Sequence, residues 1–254
     1  MTFQPSPDDL ILSVDTATTT QSVAILRGKD VLCEFYAKQL RQEDQSLLSL
    51  VDFALHYVSL TIHDMQRFVI SRGPGAFTRL RVSMALLKSF SLSLDRPLYA
   101  ASTLDAIAMR FTQCDKLFCA CIDARRAEVY AAFYRMKDDK MQKITDELLL
   151  SPVQLAEYSN QNFPGEDILY AGSATPLYEK VLRENGEGHA FFTEVPAAPS
   201  ASAMALQVLE QHPDTLPDIP IESLEPKYIR VDTFELPKPF DFSKPERPHH
   251  HDAG

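Results

Sequence analysis

The chain has 254 residues, enough for one large domain or two small ones, and 45% of them are apolar, enough for an ordinary core. It has no tryptophan, so leucine, phenylalanine and alanine must fill that core. A net charge of −10 excludes a surface that is basic throughout, so any contact with RNA would run through a local patch or a partner. The opening MTFQPSPDDLILSVD has no basic stretch and no long apolar run before its aspartate pair, which excludes a signal peptide. No window of about 18 residues is apolar and uncharged, so no membrane span is expected and the chain is read as cytoplasmic.

Residues 1–9 read as an N-terminal extension. Leu10–Val14 is an apolar run that ends at Asp15. Gln21–Arg27 and Val31–Ala37 read as two further strands, joined at Gly28-Lys29-Asp30 as a hairpin. Ser46–Ser59 carries Leu47, Leu48, Val51, Leu55 and Val58 at helical spacing. Arg67–Ser71 reads as a short buried strand and Phe77–Leu94 as a long helix. On a helical wheel Leu80, Met84, Leu87 and Leu94 share one side, and Val82, Leu86 and Phe90 widen the apolar sector to about 200°, against ~100° for one core contact. Two readings fit that sector: a helix buried between two layers, or one with a core face and a partner face. Pro97–Ala100 reads as a strand. Ser102 comes next as an N-cap with Asp105 at the capping-box distance, ahead of a helix over Ala106–Phe111.

A second unit begins at Lys116. Leu117–Ile122 is an apolar strand ending at Asp123, Glu128–Arg135 is another, and Asp138-Asp139 marks a turn. The pair ILSVD and ACID, each a buried strand closing on aspartate before a polar loop and another strand, suggests an internal repeat. Such doubling builds the actin/hexokinase/Hsp70-like (ASKHA) fold. Pro152–Tyr158 reads as a helix with proline in its first turn. Ile168–Ala171 reads as a strand before Gly172-Ser173, succeeded by a helix through Tyr178–Leu182 and another over Ser202–Gln211. From Pro213 the chain is proline-rich, and the end, with His249–His251, reads as a solvated, extended or disordered tail. Cys33, Cys114, Cys119 and Cys121 lack zinc spacing and read as free, mostly buried thiols of a reducing compartment.

Three segments could carry chemistry. Gly73-Pro74-Gly75 links a strand to a helix and could aim amides near Ala76–Thr78 at an anion. Arg67, Arg72, Arg79, Arg81 and Lys88 lie nearby with no acidic residue between Met65 and Leu94. A tight structural connection fits equally. Asp15 with Thr16 and the hydroxyls after it could hold a magnesium-bound phosphate, but this loop lacks the glycines that admit one, and a turn-capping aspartate also fits. Asp123 with Arg125 and Arg126 has the same ambiguity: an arginine there can pair with phosphate or with a neighbouring carboxylate. There is no GxSxG and no HExxH, and the histidines form no i, i+4 pair for a metal.

SRGPGAFTRLRVSMALLKSFSLSLDRPLYAASTLDAIA, from Ser71 to Ala108, resembles a stretch of the TsaB/YeaZ family in which GRGPGSFTGLRIG leads into a helix, a short strand and a Ser-Ser/Thr-Leu-Glu/Asp-Ala-Ala segment. IDARRAEVYAAFY (Ile122–Tyr134) resembles that family's IDARRGEVYWAxY, ILSVDTATTTQSVAIL (Ile11–Leu26) its ILAIDTSTxxxSVAL, and PKYIR (Pro226–Arg230) its PxYLR. The resemblance implies an α/β ASKHA fold of two related subdomains with mixed sheets flanked by helices, over 10–112 and 113–235, with 236–254 as tail. It implies a non-catalytic scaffold beside the catalytic paralogue TsaD and the ATPase TsaE, in adding threonylcarbamoyl to adenosine 37 of tRNAs that read codons beginning with A. Such a subunit would pair with TsaD, or with itself when alone, and meet tRNA only through the complex, with no cofactor and no membrane. The helices near Ser46–Ser59 and Phe77–Leu94 would form the interface through Leu47, Leu48, Val51, Leu80, Met84, Leu87 and Leu94.

The sequence departs from the motif at Arg79 and Ser83, where the family has glycines, so a close helix contact there is expected to narrow. Where the paralogue holds metal by a His-x-x-x-His pair, this chain reads QEDQSLL, with Glu43 or Asp44 in place of a histidine, so no metal centre is expected. Two alternatives to the scaffold remain. One is an actin-like magnesium-nucleotide phosphotransferase using Asp15 and Asp123. The other is a glycoprotease-like metallopeptidase.

Overall fold

The computed structural model describes residues 6, 8–38, 47–111, 114–138, 140–193, 198–210, 223–227 and 229. Glu43, Asp44, His249–His251 and the end of the PKYIR motif lie outside them.

The first half opens with three antiparallel strands, β1 (Leu10–Asp15), β2 (Thr20–Arg27) and β3 (Asp30–Lys38). Next in the chain are α1 (Leu47–Tyr57), β4 (Arg67–Ser71), α2 (Phe77–Leu94) and β5 (Leu98–Ala101). The sheet order is β3-β2-β1-β4-β5, with β4 parallel to both β1 and β5. All six residues of β1 are buried, Ser13 and Asp15 included, which is why it shows no polar alternation: a central strand covered on both faces has no solvent side.

The second half repeats the plan. β6 (Leu117–Arg125), β7 (Glu128–Lys137) and β8 (Lys140–Lys143) run antiparallel, and β9 (Leu148–Leu150) adds to the far end of β7. After α4 (Pro152–Asn162) come β10 (Ile168–Ala171), α5 (Thr175–Asn185) and β11 (Ala190–Phe192). The order β11-β10-β6-β7-β8 matches the first sheet strand for strand. This doubled βββαβαβ-type plan is the actin/hexokinase/Hsp70-like fold. β8, β9 and β11 escape the sequence pattern: KMQK is almost wholly polar, and the other two are three-residue strands, too short for an alternation to register.

Two helices cross between the halves. α3 (Thr103–Ala108) continues the first half in sequence, yet Leu104, Ile107 and Ala108 pack with Phe118, Ala120 and Ile122 of β6. α6 (Ala201–Glu210) comes last in the described chain, yet Met204, Ala205 and Val208 pack with Ile11, Leu26 and Val69 of the first sheet. Segment 223–227 also returns: Leu224 joins the core under α1 and α2, and the Lys227 amide donates to the Arg72 carbonyl at 2.6 Å. A division at residue 112 therefore separates the two sheets but not the two halves, because 201–210 and 223–227 belong with the first.

Ser102 is the N-cap expected, accepting from the Asp105 amide at 3.5 Å, but it starts the helix at Thr103 rather than Ala106. The Asp105 carboxylate does not close a capping box. It accepts from Tyr134 Oη at 2.7 Å and Gln207 Nε2 at 3.1 Å, and pairs with Lys143 at 2.6 Å. Cys33, Cys119 and Cys121 are buried and Cys114 half-buried, all as free thiols. Burial pushes the Cys121 thiol up to about 12, which leaves it unreactive.

Met204 is fully buried where α6 meets the first sheet. Met204→Ala is expected to lower unfolding stability by about 2–5 kcal/mol in urea titration, within a single transition for the whole chain. Separate transitions for the two halves would show that α6 does not couple them.

Candidate functional site

The repeat brings the carboxyl ends of two central strands, β1 and β6, to one place. Between them opens a cleft of about 1270 Å³, lined from the first half by Ala17, Thr18, Gly75 and Arg79, and from the second by Asp123, Arg125, Arg126 and Ser173. α2 and α5 both begin at its edge, and neither start carries a side-chain cap. An uncapped helix start presents amides and the positive end of the helix dipole, but at α5 residue 176 is proline and the Ala174, Thr175 and Leu177 amides already donate to the Cys121, Gly172 and Ala174 carbonyls.

The loop after β1 is clasped rather than open. Ala76 N–H donates to the Ala17 carbonyl at 2.8 Å, and Thr16 Oγ1 lies 2.7 Å from Ser83 Oγ and donates to the Arg79 carbonyl at 3.0 Å. Gly75 is required here, since a Cβ at this position would sit 2.6 Å from Ala17. The Gly73-Pro74-Gly75 turn thus sets α2 against the loop; its Gly73–Pro74 bond is cis. Gly73 also accepts from the Thr103 amide at 3.0 Å.

Asp15 and Thr16 do not reach the cleft. Both are buried, Asp15 completely, and Asp15 Oδ1 accepts from the Ala17 amide at 3.1 Å as a turn-capping aspartate does. Burial pushes the Asp15 carboxyl up to about 7, outweighing the Ser71 hydroxyl and Ala17 amide that favour the charged form. Asp123 and Arg125 do line the cleft and spend themselves on each other: Arg125 N–H donates to Oδ1 at 2.9 Å, and its guanidinium stands 3.2 Å from Oδ2.

Arg79, expected to narrow a helix contact, instead turns into the cleft, where its Nη1 donates to the Thr18 carbonyl at 2.5 Å. Ser83 is buried and serves the clasp on Thr16. Lys227, whose ammonium pairs with Glu147 at 2.8 Å, and Ser173 also line the cleft and were not singled out by pattern, although Lys227 stands inside the PKYIR motif.

The residues expected at a partner interface divide by face. Leu47, Val51, Leu80, Met84 and Leu87 are buried in the chain's own core, and Leu94 is half-buried against it. Leu48 alone of the seven is exposed, at 53%. The broad apolar sector of α2 is therefore partly a core face. Its outward remainder is Val82, Leu92 is exposed outside that sector, and α1 adds Phe53 and Tyr57, which pack edge-on against Phe35 of β3.

A carboxyl that titrates near 3.8 unfolded and about 7 folded binds its proton more tightly in the folded chain. Its burial is neutral in acid and erodes stability as pH climbs from about 4 to about 7. Asp15→Asn removes that cost. Urea midpoints are expected to show the variant gaining on the parent across this window by about 4 kcal/mol, then running parallel above pH ~7. A constant difference at every pH would mean that Asp15 is charged in the folded state.

The TsaD family, described as tRNA N6-adenosine threonylcarbamoyltransferase, matches residues 31–232. The chain is 27% identical to the tRNA threonylcarbamoyladenosine biosynthesis protein TsaB of Escherichia coli (strain K12), over 87% of this chain and 94% of that protein. It is 26% identical to TsaB of Bacillus subtilis (strain 168), over 68% of this chain and 75% of that protein. The solved structure of YeaZ from Pseudomonas aeruginosa superposes with a TM-score of 0.71 at 26% identity, covering 87% of this chain and 100% of that one. The chain therefore belongs to the TsaD family, and within it to the TsaB/YeaZ proteins.

Proposed function

We propose that this protein is the non-catalytic subunit of an assembly that adds threonylcarbamoyl to adenosine 37 of tRNAs reading codons that begin with A. The observation that carries this reading is the likeness to two TsaB proteins whose names place them in threonylcarbamoyladenosine biosynthesis, extending over 87% of the chain for one of them. The catalytic partner is a TsaD protein, with a TsaE ATPase in the same assembly, and tRNA is met through the complex. Alone, the chain pairs with a second copy through the same surface. The sealed position of Asp15 supports an accessory role, since a magnesium-nucleotide phosphotransferase would need that carboxylate open to the cleft.

The contact surface on this reading is the outer face of α1 and α2, which lie together on one side of the first sheet. Phe53, Tyr57, Val82 and Leu92 are each more than half exposed there, in a chain where most large apolar side chains are buried. The core residues beneath them, Met84 and Leu87, hold the helices at the angle that presents this face.

Val82→Glu with Leu92→Glu leaves the core untouched, so the variant is expected to keep the parent's circular dichroism and melting behaviour. Co-purification with TsaD is expected to fall by about tenfold or more, and reconstituted tRNA modification with it. A folded variant that retains both would overturn the surface assignment. Full modification by TsaD and TsaE without this chain would overturn the function.

A further inference from the structure

The two crossing helices are unequal, and the shorter one leaves part of a sheet face uncovered. α6 has ten residues and meets β1, β2, β4 and β5 of the first sheet. α3 has six and meets chiefly β6 and β7 of the second. At the helical rise these lengths are ~15 Å and ~9 Å, while four strands abreast span ~14 Å, so α3 is too short to cover its sheet whichever way it lies. One row of side chains records the shortfall. Tyr134, Phe118, Leu169 and Phe191 stand side by side on the inner face, on β7, β6, β10 and β11 in turn. Tyr134 and Phe118 are buried, Leu169 is half-buried, and Phe191 is 39% exposed.

The chain leaving α3 roofs this end of the row without filling it. Phe111 closes the single turn Met109–Phe111, with its ring 4.8 Å from that of Phe118. Between this stretch and the strands lies a cavity of about 470 Å³, which shares no described lining residue with the cleft between the halves. Phe111, Cys114, Leu169 and Phe191 give it apolar walls, and Arg110 and Lys116 bring two positive charges. Arg110 is exposed and Lys116 half-buried, which puts those charges at the mouth. The Lys116 ammonium lies 4.9 Å from the centre of the Phe191 ring. Arg110 gives one nitrogen to the Ala198 carbonyl at 2.8 Å. Asp115, the lone carboxylate in the described lining, is 90% exposed and 3.6 Å from Lys116, so the mouth keeps a net positive charge.

We infer that this cavity is a binding site for a small organic acid, its flat apolar body lying between Phe111 and the Leu169–Phe191 floor and its acidic group at the mouth with Arg110 and Lys116. An apolar recess of ~300–1,000 Å³ with a few convergent polar groups is the usual form of a small-molecule site. Aromatic walls favour a flat ring system, and cations at one end favour an anion there over a neutral or cationic group. Such a site stands whether or not the chain serves tRNA modification. It also carries its own reporter, since Cys114 lines it and is the one cysteine of the four that is not buried.

The test follows alkylation of Cys114 by iodoacetamide in the full chain, read by mass spectrometry, as 2-naphthoate is added. Labelling is expected to slow saturably, by about fivefold or more, and the protection to weaken as salt is raised. 2-Naphthylmethylamine has the same rings with a cation in place of the carboxylate, and about tenfold more of it is expected for equal protection. Arg110→Gln with Lys116→Gln is expected to weaken naphthoate by about tenfold and to remove its advantage over the amine, while the melting curve stays that of the parent. Lys116→Gln alone leaves the Ala198 bond in place, is expected to weaken naphthoate measurably, and guards against a folding defect in the double variant. Naphthoate that leaves Cys114 labelling unchanged, equal protection by acid and amine, or full protection retained in both variants would overturn the proposal. Protection that grows with protein concentration when no probe is present would overturn it too, by making a second copy of the chain the occupant.

Discussion

The arrangement of this molecule depends on the exchange of α3 and α6 between its two sheets. Neither half can bury its inner face with helices from its own stretch of chain. α3 leaves the first half to cover β6, and α6 returns from the end of the second half to cover β1, β2 and β4. The layers therefore run α1 and α2, first sheet, α6 with α3, second sheet, α4 and α5. Removing either crossing helix would expose an apolar sheet face, so the halves are held by the hydrophobic effect across their seam.

A charged cluster fixes the registry of that seam. Glu147 is almost fully buried and pairs with Lys143 at 3.2 Å and Lys227 at 2.8 Å, and it accepts from Ser102 at the start of α3. Burial works against its charge, but Lys143, Lys227 and the Ser102 hydroxyl outweigh burial and hold its carboxyl below the ordinary value. Lys143 also pairs with Asp105 of α3, and Gln207 of α6 donates to the other oxygen of that carboxylate. Buried pairs of this kind add little net stability but are costly to break singly, so they specify how the surfaces meet more than how tightly. Lys227 ties this cluster to the cleft it lines.

The same frame divides the molecule into two working surfaces. The outer face of α1 and α2 lies on the far side of the first sheet from α6 and keeps its large apolar residues outward. The cleft lies at the strand ends and gathers cations from both halves at its mouth. The Gly73–Gly75 turn joins them, since it sets α2 against the Thr16–Thr18 loop at one end and so orients both the cleft-facing Arg79 and the outward Val82.

The sequence by itself determined the strand-helix order of the first half and the longer elements of the second, because long runs such as LILSVD and LFCACI and the apolar period of α2 are local signals of burial. Its ordered motifs also determined the family. It could not determine which face of α2 met the core, since Leu80, Val82, Met84 and Leu87 are equally apolar and only packing distinguishes Met84 at 4% exposure from Val82 at 58%. Nor could it reveal that Asp15 and Asp123, alike in position, differ in access: one is sealed by the clasp of Thr16 on Ser83, the other stands at an open hairpin turn. Short polar strands such as KMQK form only because β7 offers an edge to pair with. The exchange of α3 and α6, and the meeting of Arg79, Arg126 and Lys227 from three distant stretches of chain, belong to the tertiary structure alone, because they depend on which surfaces the two sheets leave uncovered.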